Sequence, residues 1–256
     1  MRTIIVAPTY QEAENIEEFL RRVRVAIPSA DVLIVDDDSP DGTARIADQI
    51  GAELLQIDIL RRAAKEGLGD AYRAGFSRAL ELGYSRIVQM DTDLSHDPRA
   101  IPRLLRALDD GADLAIGSRY VNGGTIPEWP IFRRALSRYG NAYARLLLRL
   151  HVHDVTSGFR AYRAETLRCI DYASTRAKGY GFLIETVYRV SRRGGRVAEV
   201  PITFTDRVGG KSKVSLRIFA EELRLVTWWG FRDRLAARRR GTDDRSLRFD
   251  ETDTGI

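Results

Sequence analysis

An α/β domain with a mainly parallel central sheet flanked by helices is what the first half of this 256-residue chain predicts. Short β-branched runs alternate with segments of helical period, the rhythm that builds a parallel sheet with helices packed on it. Acidic and Pro-bearing motifs fall directly after those runs, where loops leave the carboxyl ends of strands and where open α/β sheets place their ligands. Length and an apolar content of 44% suffice for one full core.

The first strand is read as Thr3–Ala7, followed by a helix whose Ile16, Phe19, Leu20 and Val23 share one face. Val32–Val35 is the second strand, a helix starts after Thr43, and Glu53–Asp58 reads as the third strand. Tyr72, Phe76 and Leu80 mark the next helix, Ile87–Met90 the fourth strand, Ile101, Leu104, Leu105 and Leu108 another helix, and Asp113–Ile116 a fifth strand. Four or five parallel strands are therefore expected before residue 120. The Gly- and Pro-containing loop from Val121 to Pro130 has the composition of a mobile lid. A long helix spans Ile131–Leu150, a loop at Asp154–Arg160 leads to two more helical segments, and Val197–Thr205 reads as strands meeting at Pro201 before a basic loop and a last helix.

Charge divides the C-terminal part. Asp206 to Arg240 holds ten basic residues against four acids, whereas Gly241 to Ile256 holds two against five. The expected organisation is a main domain over 1–214, an amphipathic basic helix over 215–240 and a disordered tail over 241–256. A single Cys169 excludes an internal disulfide, and Met1-Arg2 runs into the first strand with no signal-peptide pattern, so a cytoplasmic, reducing location is expected. No run reaches the ~18 apolar residues a membrane-spanning helix needs. Any lipid contact would be peripheral.

Met90-Asp91-Thr92-Asp93-Leu94-Ser95-His96-Asp97-Pro98 follows the fourth strand. Asp91 and Asp93, one residue apart at a sheet edge, can bracket a hard divalent cation and through it a diphosphate; the alternative is a solvated turn capping the next helix. Asp36-Asp37-Asp38-Ser39-Pro40-Asp41-Gly42-Thr43 follows the second strand, where a carboxylate can accept hydrogen bonds from a base or ribose or its Ser and Asp can simply cap a helix. Pro8, Tyr10 and Glu12 occupy the same edge after the first strand. Arg207, Lys211 and Lys213, around Gly209-Gly210, suit a loop closing over phosphates or a basic hairpin. Arg133 and Arg134 could grip a phosphate or merely begin a basic helix. His151 and His153 lack a third metal ligand nearby, and His96 is expected to pack or cap.

Taken together, PTYQEAENI at Pro8–Ile16, VDDDSPDGT at Val35–Thr43, GLGDAY at Gly67–Tyr72, MDTDLSHDP at Met90–Pro98, GSRY at Gly117–Tyr120, SGFRAY at Ser157–Tyr162 and DRVGGKSK at Asp206–Lys213 resemble the polyprenol-phosphate (dolichol-phosphate) mannose synthases of glycosyltransferase family 2. That resemblance spans residues 3 to about 215 and implies a GT-A fold for nucleotide-diphospho-sugar transfer. It implies that Pro8, Tyr10, Glu12, Val35 and Asp37 line the guanosine site, that Met90, Asp91, Thr92 and Asp93 meet the diphosphate and an Mg2+ or Mn2+ ion, and that Arg119, Arg207 and Lys213 contact the sugar nucleotide. The implied reaction is inverting transfer of mannose from GDP-mannose to a polyprenyl monophosphate, with Asp91, Asp93, Arg119 and Arg133 as catalytic residues. Two positions depart from the family pattern: Asp38 stands where relatives commonly have Gly, and Ser95 where some offer Gln as a further metal ligand. Relatives that glycosylate hydroxyls carry an acidic pair after the acceptor loop. Lys178-Gly179-Tyr180-Gly181-Phe182 offers no carboxylate before Glu185, which favours a phosphate acceptor.

Two other readings stay open: a UDP-glucose-dependent polyprenyl-phosphate glucosyltransferase, and a non-catalytic nucleotide-sugar-binding regulator of a membrane partner. Nucleic-acid binding lacks the interleaved aromatic platform it would need. Peripheral attachment to the cytoplasmic face of a membrane, or to a membrane-embedded partner subunit, is expected from two helices. In one, Arg134, Arg138, Arg145 and Arg149 lie opposite Leu136, Tyr139, Tyr143, Leu146, Leu147 and Leu150. In the last, Leu216, Phe219, Leu223 and Val226 form a stripe to pack on the domain, and Ile218, Leu225 and Trp229 a second to meet lipid, with Arg232, Arg234 and Arg238–Arg240 behind it.

Overall fold

In the computed structural model, which describes residues 1–177, 179–206 and 223–232, the chain runs through β1 (Thr3–Thr9), α1 (Ile16–Ala26), β2 (Asp31–Asp36), α2 (Thr43–Leu54), β3 (Ile57–Arg61), α3 (Leu68–Glu81), β4 (Arg86–Gln89) and α4 (Ile101–Asp109). It continues through β5 (Leu114–Ser118), α5 (Ile131–Leu148), β6 (Arg160–Arg163), α6 (Ala164–Cys169), α7 (Tyr180–Arg192) and β7 (Val197–Pro201). Alternation along the strands sets the layers. Ile4 and Val6 of β1, with Leu33 and Val35 of β2, enter a core shared with Phe76 of α3 and Val187 of α7. Ile5, Ala7, Val32 and Ile34 enter the opposite core, shared with Phe19, Ala47 and Leu104 of α1, α2 and α4. A sheet buried on both faces is thereby covered on both.

The sheet order is β3-β2-β1-β4-β6-β5-β7. β1 pairs in parallel with β2 and β4, β2 with β3, and β5 with β7, while β6 lies antiparallel between β4 and β5. The mainly parallel sheet expected from the sequence is present. Close packing of α3 on β1 depends on Gly75, where a Cβ would come within 2.3 Å of Val6 Cγ1.

Three local expectations are corrected. The third strand is displaced toward the C-terminus because α2 continues to Leu54 and turns at Leu55 and Gln56, both at positive φ. Arg160–Arg163, expected as the end of a loop, is β6. Its flanking arginines disguised a buried strand, and the fully buried Arg160 is satisfied by the carbonyls of Ser157, Val155 and Leu183 and the hydroxyl of Thr186. Third, in the helical stretch 223–232 Trp229 does not face outward. It is buried with Val226, stacked on Tyr188 at a centroid distance of 6.0 Å, and Gly230 lies against Leu147 of α5. Trp228 and Phe231 are the exposed aromatics of that stretch. The remainder of 215–240 and the whole of 241–256 lie outside the described residues.

Candidate active site

Strand order reverses at β1 and β4: one neighbour leads out through β2 and β3, the other through β6, β5 and β7. The loops leaving the carboxyl ends of β1, β2 and β4 therefore open into one crevice, the position where ligands of open α/β sheets lie.

Side chains of the β2–α2 loop stitch the first two loops together. Gln11 N donates to Ser39 Oγ at 3.1 Å, Glu12 N to Thr43 Oγ1 at 3.0 Å and Ala13 N to Asp41 Oδ2 at 3.1 Å. Asp41 serves both the turn and the bridge: Oδ1 accepts from Thr43 N, the first amide of α2, at 3.1 Å while Oδ2 accepts from Ala13 N, and Gly42 at the N-cap has no side chain to contribute. Asp38 adopts φ 57°, the left-handed conformation that Gly takes most freely and Asp tolerates. The departure at this position keeps the turn.

Asp37 is buried beside Arg62, whose Nη1 donates to Asp37 Oδ1 at 2.6 Å and whose Nη2 reaches Glu66 at 2.6 Å. Burial, helped by the neighbouring Asp36 charge, pushes the Asp37 carboxyl above its ordinary value against the pull of Arg62 and Lys65. Lys65 Nζ sits 3.9 Å from the centroid of the Tyr10 ring. Arg62 and Lys65 were not anticipated, although both immediately precede the Gly67–Tyr72 motif. Pro8, Tyr10 and Glu12 are partly exposed at the crevice, and Asn15 Nδ2 donates to Glu12 Oε2 at 2.9 Å. The side chains of Val35 and Met90, by contrast, are fully buried in opposite cores. Neither side chain faces the crevice that these residues were expected to line.

Asp91 and Asp93 stand in the β4 loop. Tyr72 Oη donates to Asp91 Oδ1 at 2.9 Å, and Ser95 donates to Asp93 Oδ1 through Oγ at 2.5 Å and through N at 3.1 Å. Between these residues Leu94 is held at φ 62°, and Thr92 Oγ1 donates to Pro8 O at 3.4 Å, joining this loop to β1. Gly158 lies on the other side, where a Cβ would come within 3.0 Å of Asp91 Oδ2. Among the described residues no group of three His, Cys, Asp or Glu forms a self-sufficient metal cage. Two hard carboxylates fit an ion such as Mg2+ or Mn2+, which takes its remaining ligands from substrate phosphate and water.

His96 is buried against Phe159 and Phe204, with ring centroids 5.1 and 5.3 Å away. Burial lowers its pKa despite the pull of Asp91 and Asp93, so a neutral packing role follows. Arg119 is locked to Asp154, Nε to Oδ2 and Nη2 to Oδ1 both at 2.7 Å, with Arg119 N donating to Oδ2 at 3.0 Å. Phe204 packs edge-on against Trp129 at 5.5 Å, and Arg133 lies 4.0 Å over the Trp129 ring while donating to Asp206 Oδ1 at 3.0 Å. Arg134 is exposed. Arg207, Lys211 and Lys213 lie outside the described residues. His153 pairs with Glu199 at 2.9 Å. Glu185 is buried, accepting from the backbone N–H groups of Arg176 and Ala177 and pairing with Arg189 at 2.7 Å.

The family model described as glycosyl transferase family 2 matches residues 4–171. Over 241 residues, 94% of this chain and 97% of the relative, the chain is 48% identical to an undecaprenyl-phosphate mannosyltransferase of Micrococcus luteus. It is also 48% identical over 235 residues, 91% of this chain and 89% of the relative, to a polyprenol monophosphomannose synthase of Mycolicibacterium smegmatis. Among solved structures, a Mycobacterium tuberculosis glucosyl-3-phosphoglycerate synthase in complex with Mn2+, UDP-glucose and glycerol 3-phosphate matches with a TM-score of 0.65 at 20% identity, covering 88% of this chain and 77% of that one. A Pyrobaculum calidifontis mannosyltransferase in complex with GDP-Man and Mn2+ matches with a TM-score of 0.58 at 15% identity, covering 94% and 75%. Those two likenesses speak to the GT-A fold.

Proposed function

This chain belongs to glycosyl transferase family 2, among its polyprenyl-phosphate mannosyltransferases, and we propose that it transfers mannose from GDP-mannose to the phosphate of a polyprenyl monophosphate. The observation that carries the reading is 48% identity over nearly the full length to two such enzymes, in a chain whose Asp37, Asp91 and Asp93 follow the neighbouring strands β2 and β4 beside β1. Asp37 and Glu12 supply acceptors for the guanosine, and Tyr10 offers its ring to the base. Asp91 and Asp93 would hold an Mg2+ or Mn2+ ion, which neutralises charge on the departing diphosphate. Arg207 and Lys213 would contact the same phosphates, as would Arg119.

An oxygen of the acceptor phosphate attacks the anomeric carbon; the bond from that carbon to the β-phosphate oxygen breaks, and GDP leaves with the electron pair. A phosphate monoester has its second pKa near ~6, so the attacking oxygen needs no base. Glu185, the carboxylate that follows the acceptor loop, is already engaged in holding backbone, which supports a phosphate rather than a hydroxyl acceptor. Incubation with Mn2+, a short-chain polyprenyl phosphate and either GDP-mannose or UDP-glucose tests the reading. A lipid-linked mannose is expected, and a lipid-linked glucose instead would sink it.

The lipid acceptor is reached, on this reading, by peripheral attachment to an anionic membrane surface. Phe132, Tyr139 and Leu146 recur every seven residues of α5, so at ~100° per residue they share one narrow face, and each is more than half exposed. What α5 buries is Asn141, Ala144 and Leu148. Trp228 and Phe231 extend the exposed apolar surface from the adjoining stretch, which is tied to α5 by Tyr143 Oη and Thr227 Oγ1 at 2.8 Å. Arg134, Arg138, Arg149, Arg224 and Arg232 are exposed on the same two elements, and α5 carries no acid. Aromatic and aliphatic tips among arginines fit lipid headgroups better than water. No described helix is long and apolar enough to cross a membrane.

A further inference from the structure

Each carboxylate of the Asp91–Asp93 pair accepts on one oxygen from a buried hydroxyl, one distant in sequence and one local. Tyr72 reaches Asp91 Oδ1 from the first turns of α3, and Ser95 reaches Asp93 Oδ1 from two residues along the same loop. Both donors are buried. The Tyr72 ring has no room to swing, being stacked on Phe182 at 6.0 Å and tilted against Phe76 at 5.7 Å. Ser95 is fixed a second time, since its own N–H donates to the same Asp93 oxygen. Gly158 leaves room on the Oδ2 side of Asp91, where a Cβ would come within 3.0 Å.

A carboxylate free to turn about its Cβ–Cγ bond can offer a metal both oxygens, and that bidentate mode suits large, loosely coordinated ions. Mg2+ and ions of similar size demand a near-octahedral shell of single-oxygen contacts, whereas Ca2+ accepts seven or eight ligands with bidentate carboxylates. A hydroxyl hydrogen bond on one oxygen fixes the carboxylate plane and occupies one of that oxygen's two lone-pair directions, which disfavours the symmetric two-oxygen contact with a metal. We propose that Tyr72 and Ser95 are paired positioning residues, restricting Asp91 and Asp93 each to one metal contact so that coordination positions remain for diphosphate and water. The inference rests on reading Asp91 and Asp93 as the metal site. Ser95 then acts on the metal through Asp93, its hydroxyl orienting the carboxylate instead of binding the ion.

Mn2+ binding to the full-length protein saturated with GDP, followed by the electron paramagnetic resonance of free Mn2+ and by competition with Ca2+, tests this without turnover. Tyr72→Phe and Ser95→Ala should each weaken Mn2+ by roughly tenfold, the low end of what loss of an outer partner costs a metal site. Both should also lose preference for Mn2+ over Ca2+, while GDP binding in chelator stays at the wild-type value. Ser95→Thr, which retains the hydroxyl, should keep most of the affinity. Unchanged Mn2+ affinity and selectivity in both variants overturns the proposal, as does a loss that only accompanies loss of metal-free GDP binding. Should Tyr72→Phe fail to fold, Ser95→Ala alone decides. If the wild-type protein with GDP binds no Mn2+, the metal reading itself fails and this inference falls with it.

Discussion

Arg119 is the residue whose replacement is most open to misreading. Asp154 is fully buried, and it receives two guanidinium nitrogens at 2.7 Å and the Arg119 backbone N–H at 3.0 Å. Arg119→Ala removes the charge and two of those donors and leaves a carboxylate with no access to water. Breaking a buried pair from one side costs about 3–5 kcal/mol, a large fraction of the ~5–15 kcal/mol that holds a domain folded. The pH dependence supplies a signature. In the native protein burial opposes the Asp154 charge, but attraction to Arg119, its hydrogen bonds and the charge of Arg160 together hold the carboxyl below the usual range. That stabilisation is present above the ordinary carboxylate pKa and is lost as pH falls through the lower folded value. In Arg119→Ala burial acts unopposed by Arg119 and the folded pKa should rise, so the variant should lose stability as pH increases from the ordinary value to the raised one. Denaturant unfolding of both proteins from mildly acidic to mildly basic buffer reads both effects. Arg119→Met combined with Asp154→Leu removes both charges, and such exchanges are often neutral or stabilising. If the double variant regains stability without turnover, the guanidinium acts on the donor as well as on Asp154. An Arg119→Ala protein as stable as the parent at every pH would refute the reasoning.

Asp93→Asn should abolish turnover with little change in unfolding, because the amide oxygen can still accept from Ser95; normal metal-dependent activity would remove Asp93 from the metal site. Asp38→Gly should raise stability by up to about 1 kcal/mol, the penalty of a left-handed residue offset by the extra freedom of Gly in the unfolded chain, and a lower unfolding midpoint would show that the Asp38 side chain matters more than its backbone. Phe132→Ser with Trp228→Ser should reduce flotation with anionic vesicles while leaving GDP binding intact. Flotation of the parent should rise with anionic lipid and fall with salt, and equal flotation of parent and variant would place the membrane contact elsewhere.

The central architecture was legible because its signals are local and physical: apolar periodicity of 2 and 3.6, and acids immediately after strands. β6 was not, because four residues bracketed by arginines carry no apolar signature. Only the tertiary structure reveals that carbonyls and a threonine neutralise Arg160's need for water. Val35 and Met90 show a second limit. A family motif marks where the chain passes a ligand, but strand alternation decides whether a side chain or only the backbone faces it. Arg62 and Lys65 were overlooked for the opposite reason, as ordinary surface cations whose partners Asp37 and Tyr10 lie 25 and 55 positions away in the sequence. Trp229 followed a stripe that periodicity could find but could not assign to inside or outside.

The orientation of α5 ties these observations to the acceptor. An amphipathic helix in a water-soluble domain ordinarily turns its apolar stripe inward. Here Phe132, Tyr139 and Leu146 face out while Asn141 packs in, its Oδ1 accepting from Val155 N at 2.8 Å and its Nδ2 donating to Thr156 Oγ1 at 3.1 Å. Those bonds hold the 154–156 segment next to Arg119, so the inward face combines the apolar packing of Ala144 and Leu148 with a polar tie to the site. Inserting an exposed Phe, Leu or Trp side chain into lipid yields on the order of 1.5–3 kcal/mol when burial is complete, and an arginine near an anionic surface adds about 1 kcal/mol. On the proposed reading, a few of each would give attachment that is firm yet reversible, as a protein that must meet many lipid substrates requires. Phe132 is followed directly by Arg133, which lies over the Trp129 ring; Trp129 packs on Phe204, and Phe204 on His96 of the loop that carries Asp91 and Asp93. On the proposed reading, the depth at which Phe132 settles would set the height of Arg133 among the headgroup phosphates, and with it the point where an acceptor phosphate leaves the membrane surface for the crevice.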